Sequence, residues 1–297
     1  MKRILIGGSP CTYWSIIQNS KNRETQAEGQ GWELFLNYVI AKEKFKPDYW
    51  IYENNESISK KIQTQITKNL EIETLLHFDS AAVSAQSRKR VYGSNILVPP
   101  PEDRGVTLAD IIDEDVEPVT LTRPRFKEKQ CRIYTNGKSP TITAAGGGEH
   151  TPRILYKGHT IEDITPDTYK DISRPFNVHE IARLQTMPAD YADMLSKTQA
   201  INAFGNGWTA EIIKHIMKFW NIPKDEELIV LSLYDGIATG RYCLDSLGYT
   251  NVKYFAYEID PQPIKCALAN YPDIIEKGDA FAVRRGDWNI LIKFQTF

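Results

Sequence analysis

The chain has 297 residues, 41% of them apolar and 25% charged, with a net charge of −2. That length suits one large domain, or one large and one small, and the charge excludes a polycation that binds nucleic acid over its whole surface. No apolar run approaches a membrane span and the start shows no signal-peptide pattern, so no membrane partner and a cytoplasmic location are expected. The four cysteines, at 11, 131, 243 and 266, have neither metal-ligand nor disulfide-framework spacing. Free thiols in a reducing compartment, and no metal site, are therefore expected.

The first fifteen residues organise the chain. Ile4-Leu5-Ile6 reads as a short buried strand. It runs into Gly7-Gly8, where a positive φ costs little, and Pro10 stiffens the turn. Cys11 is then presented at the tip, a good mount for a nucleophile at a sheet edge. Gln18 to Gln30 is polar and lacks periodicity, which suggests a lid-like loop beside the thiol. Leu34, Phe35, Tyr38, Val39 and Ile40 have helical spacing within Trp32 to Phe45, and Pro47 ends that helix. Tyr49 to Tyr52 is a strand, stopped by Glu53-Asn54-Asn55. A helix is expected over Ser57 to Leu70, then strands over Leu75 to Ser84 and Lys89 to Tyr92. Arg88 and Arg90 alternate and so share one face.

Pro99-Pro100-Pro101 is a stiff break. The expected organisation is a first part over 1–98, a small region of different texture over 99–175, and a third part over 176–297. Between Arg123 and Lys157 stand eight basic residues: Arg123, Arg125, Lys127, Lys129, Arg132, Lys138, Arg153 and Lys157. They face two acids, Glu128 and Glu149. Helices are expected over Val178 to Gln185, Lys197 to Phe204 and Thr209 to Trp220, with a turn at Gly205-Asn206-Gly207-Trp208. After a short connector, Leu228 to Leu233 is an apolar strand of the parallel-sheet kind. Tyr234 to Gly240 follows as a glycine-bearing turn, then a helix to Leu247. Strand Lys253 to Tyr257 ends at Glu258, and Pro261 opens a helix to Tyr271. This texture implies a doubly wound α/β sheet.

Strand, glycine turn and helix at 228–247 make a nucleotide-type cradle. Glu258, at the end of the next strand, lies where a carboxylate meets ribose hydroxyls. The spacing Gly236-x-x-x-Gly240 is not the dinucleotide fingerprint, which disfavours NAD.

These motifs together resemble the DNA cytosine-5 methyltransferases. The nucleophile motif stands as Gly7-Gly8-Ser9-Pro10-Cys11, and Glu53-Asn54-Asn55 replaces the family's Glu-Asn-Val. Gln86-Ser87-Arg88-Lys89-Arg90 is a complete Gln-x-Arg-x-Arg. Further on come Arg183-Leu184-Gln185-Thr186-Met187-Pro188, then Gly205-Asn206-Gly207-Trp208, Asp235 to Gly240, Glu258 and Asp279. The family's usual order places the cofactor motifs first. Here they close the chain, so the resemblance is to a circular permutant, closest in wording to the de novo DNA methyltransferase branch. Ile290-Leu291-Ile292 echoes Ile4-Leu5-Ile6, and the N-terminal copy is expected to take the sheet position, with the tail outside it.

The resemblance implies a Rossmann-like S-adenosyl-L-methionine-dependent sheet and a DNA (cytosine-5-)-methyltransferase. Pro10, Cys11, Glu53, Arg88 and Arg90 would form the catalytic set, with Cys11 as a thiolate whose pKa nearby cations lower. A raised Glu53 pKa is expected if it shares a proton with the cytosine ring. Tyr234, Asp235, Gly236, Ile237, Thr239, Gly240, Glu258, Ile259, Asp279, Ala280, Asn206 and Trp208 would bind the cofactor. Arg123, Arg125, Lys127, Lys129, Arg132 and Lys138 would meet phosphates of double-stranded DNA, from which the target base is flipped. A tRNA methyltransferase and a catalytically silent DNA-binding relative are the alternatives. Restriction–modification, phage self-protection and regulation are equally compatible with the motifs.

Overall fold

The computed structural model describes residues 1–16, 22–124, 130–144 and 151–286. The chain opens with β1 (Lys2–Gly7), α1 (Gly29–Phe45), β2 (Tyr49–Asn55), α2 (Lys60–Leu70), β3 (Leu76–Asp79) and β4 (Lys89–Ser94). A second group of strands follows: β5 (Val116–Thr122), β6 (Arg132–Tyr134), β7 (Arg153–Tyr156) and β8 (Ser173–Pro175). Three helices come next, α3 (Val178–Leu184), α4 (Lys197–Asn206) and α5 (Ala210–Lys218). The described chain closes with β9 (Leu228–Leu233), α6 (Thr239–Ser246), β10 (Val252–Tyr257), α7 (Pro261–Asn270) and β11 (Ile275–Glu276).

Among the described residues, the larger sheet has the order β11-β10-β9-β1-β2-β4-β3, and β6-β5-β7-β8 form a smaller antiparallel one. In the larger sheet β4 alone runs antiparallel to its neighbours. Both faces of this sheet are covered, as a parallel sheet requires. On one face Ile4, Ile6, Val230 and Tyr254 pack with Ile212, Ile213 and Ile216 of α5 and Leu244 of α6. On the other, Leu5, Ile229, Leu231 and Phe255 pack with Phe35, Tyr38 and Val39 of α1 and Ile62 and Ile66 of α2. Each strand feeds the two faces alternately, and every residue of β9 is buried.

The N-terminal apolar run occupies a central sheet position, between β9 and β2; its echo at 290–292 lies outside the described residues. Several boundaries differ from expectation. β2 does not stop at Glu53, because antiparallel β4 continues its ladder through Asn55↔Arg90. The expected strand over Leu75 to Ser84 is short: Asp79 accepts from Ala81 N at 3.0 Å and turns the chain into one turn of 3₁₀ helix. α2 begins at Lys60 because the Ser59 hydroxyl caps it, accepting from Ile62 N. α4 runs on through Gly205 and Asn206, where a turn was expected. No helix among the described residues is long and apolar enough to cross a membrane.

Candidate active site

The order of the larger sheet reverses between β9 and β1. From β9 the chain winds outward to β10 and β11; from β1 it winds the other way to β2. Gly7 is in register with Leu233 on one side and Tyr52 on the other. The turns carrying Cys11 and Tyr234–Gly240, and the end of β2 that carries Glu53, therefore share one edge of three adjacent strands. Such a crevice is where open α/β sheets bind ligands.

Gly7 and Gly8 do not take positive φ. Their lack of a side chain serves close approach instead: a Cβ on Gly8 would lie 2.8 Å from the Glu53 carbonyl and 2.9 Å from Glu53 Oε2. Pro10 (φ −49°, ψ 123°) delivers the chain into a 3₁₀ turn over Cys11–Tyr13, whose first carbonyl accepts from Trp14 and Ser15 N. Asn54 braces this turn from behind. Its amide donates to the Ser9 carbonyl (3.1 Å), Ser9 Oγ (3.2 Å) and Tyr52 Oη (3.0 Å), all buried. Sequence reasoning missed Asn54 and Ser9 as functional supports. The available signal was period two: Asn54 must point away from the face that Glu53 lines.

Glu53 is the hub. Arg90 Nε meets its Oε1 at 3.0 Å, and Trp208 Nε1 donates to its Oε2 at 3.1 Å. Arg90 stands opposite Asn55, diagonal to Glu53, within reach of a long side chain. Burial raises the Glu53 pKa against the pull of Arg90 and Arg88, as expected for a proton-sharing role. The Cys11 thiol departs from expectation. Its pKa is raised, first by burial and then by the Glu53 charge, which together outweigh Arg90 and Arg88. Cys11 is thus a thiol in the free protein, and neutralising Glu53 would remove one of the two effects that hold its proton.

Arg88 does not share Arg90's task. It precedes β4, is 3% exposed, and donates to the carbonyls of Ile142 (2.9 Å), Gly205 (2.9 Å) and Gly207 (2.8 Å). Burial lowers its pKa to about 9. It clamps the end of α4 rather than facing the crevice.

On the cofactor side, Tyr234 (φ +58°) and Ala238 (φ +60°) flank Gly236 (φ +63°) in left-handed backbone. The two non-glycine residues store strain of about 1–3 kcal/mol each. Tyr234 is held in place by donating to the Leu34 carbonyl and accepting from Asn37 Nδ2. A Cβ on Gly236 would meet nothing within 4 Å, so space opens in front of it. Gly240 differs: there a Cβ would strike Ile6 and lie 2.8 Å from Tyr254 Oη, so its absence lets α6 press on the sheet. Ile237, Thr239 and Ala280 are buried, and the Ile237 carbonyl already accepts from Tyr191 Oη.

Glu258 accepts from Gly236 N, Ile259 N and Asp260 N, bracing the turn, while the Ile259 side chain is 72% exposed beside it. Asp279 accepts from Phe281 N. Asp235 Oδ1 accepts from Ser232 Oγ and Tyr254 Oη, both at 2.6 Å, but its Oδ2 is buried without a partner, as are both oxygens of Glu276. Burial, reinforced by Glu258, raises Asp235 to about 6; burial with Asp235 and Glu258 raises Glu276 to about 7. This carboxylate-rich cleft with orphaned acceptors fits a cationic nucleoside such as S-adenosyl-L-methionine, and not a phosphate. Asn206 is exposed at the end of α4. Trp208, expected on the cofactor, is brought to Glu53. Among the described residues, no group of three or more His, Cys, Asp or Glu could hold a metal.

Of the expected lid, Arg23 and Glu24 are tied down. Arg23 Nε donates to the Trp14 carbonyl, and Glu24 accepts from Trp14 Nε1 and Gly31 N. Gly29 and Gln30 already belong to α1, and residues 18–21 lie outside the described residues. Of the expected DNA contacts, Arg132 is exposed on β6 and Arg123 follows β5. Lys138 is otherwise engaged: its ammonium donates to the carbonyls of Ala81 (2.7 Å), Ser84 (3.1 Å) and Val106. Arg125, Lys127 and Lys129 lie outside the described residues.

A switch-point crevice with a thiol, a glutamate and a glycine turn on three adjacent strands fits a methyltransferase of the mixed α/β class. The chain belongs to the C-5 cytosine-specific DNA methylase family, which it matches over residues 2–97 and 103–220. Among solved structures it is similar to the methyltransferase EhMeth of Entamoeba histolytica, at 13% identity and a TM-score of 0.44, over 73% of this chain and 76% of that one.

Proposed function

We propose that the protein transfers a methyl group from S-adenosyl-L-methionine to carbon 5 of cytosine in double-stranded DNA. The observation that carries this reading is the register at the switch point, which sets the Cys11 turn beside the Tyr234–Gly240 turn on neighbouring strands. When bound, the cofactor supplies an electrophilic methyl group; Gly236, Glu258, Ile259, Asp279 and the Asp235 carboxylate would hold it.

The chain's own residues do the rest. Cys11 gives up its thiol proton to solvent, and the thiolate Sγ adds to carbon 6 of the ring and makes carbon 5 nucleophilic. Glu53 holds the ring nitrogen and exocyclic amine, and its raised pKa suits it to share a proton there. Arg90, already on Glu53, is the cation for the carbonyl oxygen. After transfer a base takes the carbon 5 proton, and the Sγ–carbon 6 bond breaks. Reaching the ring requires flipping the base out of the duplex. Arg123 and Arg132 of the smaller sheet are the phosphate contacts of a target-recognition region spanning 99–175.

Circular permutation belongs to the same reading. The family match runs in order through residue 220 and ends before the cofactor strand at 228. In the sheet, β9 nevertheless lies beside β1, with residues 221–227 as the join. A cytoplasmic site of action in a bacterial or phage-infected cell is part of the same proposal.

The test is methyl transfer from labelled S-adenosyl-L-methionine to duplex DNA and, in parallel, to tRNA. Transfer to duplex cytosine, and covalent trapping on DNA containing 5-fluorocytosine, are expected for the wild type and lost in Cys11→Ser. Transfer to tRNA alone would make it an RNA enzyme. Trapping that survives Cys11→Ser would reassign the nucleophile, and no transfer to either substrate would sink the proposal.

A further inference from the structure

We infer that Trp208 is a positioning residue for Glu53: its indole N–H fixes the carboxylate in one orientation. The consequence for catalysis rests on the cytosine methyl transfer proposed above; the contact itself does not.

Three observations converge. First, each Glu53 oxygen has one planar donor: Arg90 Nε on Oε1 at 3.0 Å and Trp208 Nε1 on Oε2 at 3.1 Å. A carboxylate held at both ends cannot rotate, yet each oxygen keeps a lone pair for a ligand. Second, the chain around Trp208 is gripped from both sides by buried polar groups. Before it, Arg88 takes the carbonyls of Gly205 and Gly207, and Gln185 Nε2 takes that of Phe204 at 2.6 Å. After it, Thr209 Oγ1 donates to Gln185 Oε1 at 3.0 Å and bonds Ser80 Oγ at 2.8 Å, while Ala210 N donates to the Gln185 carbonyl. Arg88, Gln185, Thr209 and Ser80 are each no more than 3% exposed. Trp208 itself is only partly buried. Burying so many polar groups around a half-open side chain is not explained by packing; it is explained by aiming the indole. Third, indole donates and never accepts or titrates. It steadies Glu53 without competing for the proton that Glu53 shares with substrate, and it favours the ionised form against the burial that raises the Glu53 pKa.

The experiment uses the full chain with ¹⁵N-labelled tryptophan. The Trp208 indole signal is identified by its loss in Trp208→Phe. In the wild type it is expected to move with pH as Glu53 titrates, and in Glu53→Gln to shift and stop titrating. In steady-state assays on duplex DNA, Trp208→Phe should lower kcat by about tenfold with cofactor Kd unchanged. A Trp208 signal indifferent to Glu53→Gln overturns the inference. So does a Trp208→Phe enzyme that loses cofactor affinity and keeps kcat, since that is the signature of a cofactor contact. If the indole follows Glu53 but the wild type transfers no methyl group, the contact stands and the proposed function fails.

Discussion

Two carboxylates on either side of β1, Glu53 on β2 and Asp235 just after β9, have opposite surroundings. Glu53 is held by Arg90 and Trp208, so both of its oxygens are satisfied in the free protein. Asp235 has hydroxyl donors on one oxygen and nothing on the other, and its neighbours Glu258 and Glu276 are also acids. Burial raises both pKa values, for different ends. The Glu53 side is preorganised and needs a ligand only to take its proton. On the Asp235 side, charge and acceptors stay unmet until a cation arrives.

The largest effect expected from breaking this contrast is on the Glu53 side. Arg88→Ala leaves three carbonyls, those of Ile142, Gly205 and Gly207, without their donor. It should cost about 3 kcal/mol or more, read as a lower urea midpoint. A loss under 1 kcal/mol would mean that the clamp does not hold the Trp208 segment. Next is the cofactor side. Glu258→Ala removes the acceptor for three backbone N–H groups at the Gly236 turn. S-adenosyl-L-methionine affinity should fall at least about tenfold, or roughly 1.4 kcal/mol, by calorimetry. Unchanged affinity would remove the cofactor from this cleft.

The smallest effect is a pH dependence. The folded pKa of Asp235 is about 6, above its ordinary 3.8. Its proton therefore stabilises the fold fully below about pH 4 and is lost as pH rises through about 6. Asp235→Asn keeps an uncharged group there, so its melting temperature relative to wild type should climb between about pH 4 and pH 6. A difference that is flat with pH would mean that Asp235 is not held protonated. In the wild type, binding of a cationic cofactor should strengthen as pH rises through about 6, because the ligand needs the charge that folding disfavours.

Much of this site could be read one strand at a time. Cys11, Glu53, Asp235 and Glu258 each close an apolar run, and side chains at strand ends reach the sheet edge whatever the distant chain does. The reading failed where partners are remote. Alternation put Arg88 and Arg90 on one face, but Arg88 lies before the strand begins and turns to the carbonyls of α4. Trp208 reaches Glu53 across 155 residues, and no local pattern announces it. Lys138 counted as a free cation until three carbonyls of another segment claimed it. Nearby cations argued for a lowered Cys11 pKa, and burial reversed the sign.

The sequence alone determined β1, β2, β4, β9 and β10 of the larger sheet, their order of chemistry and the family resemblance, because apolar periodicity and glycine, proline and acidic punctuation act over a few neighbouring residues. Only the tertiary structure decided which strands are neighbours, which cations remain available and which way buried groups titrate. Those depend on desolvation and on hydrogen bonds between segments far apart in the chain, and both come into being only when the sheet closes.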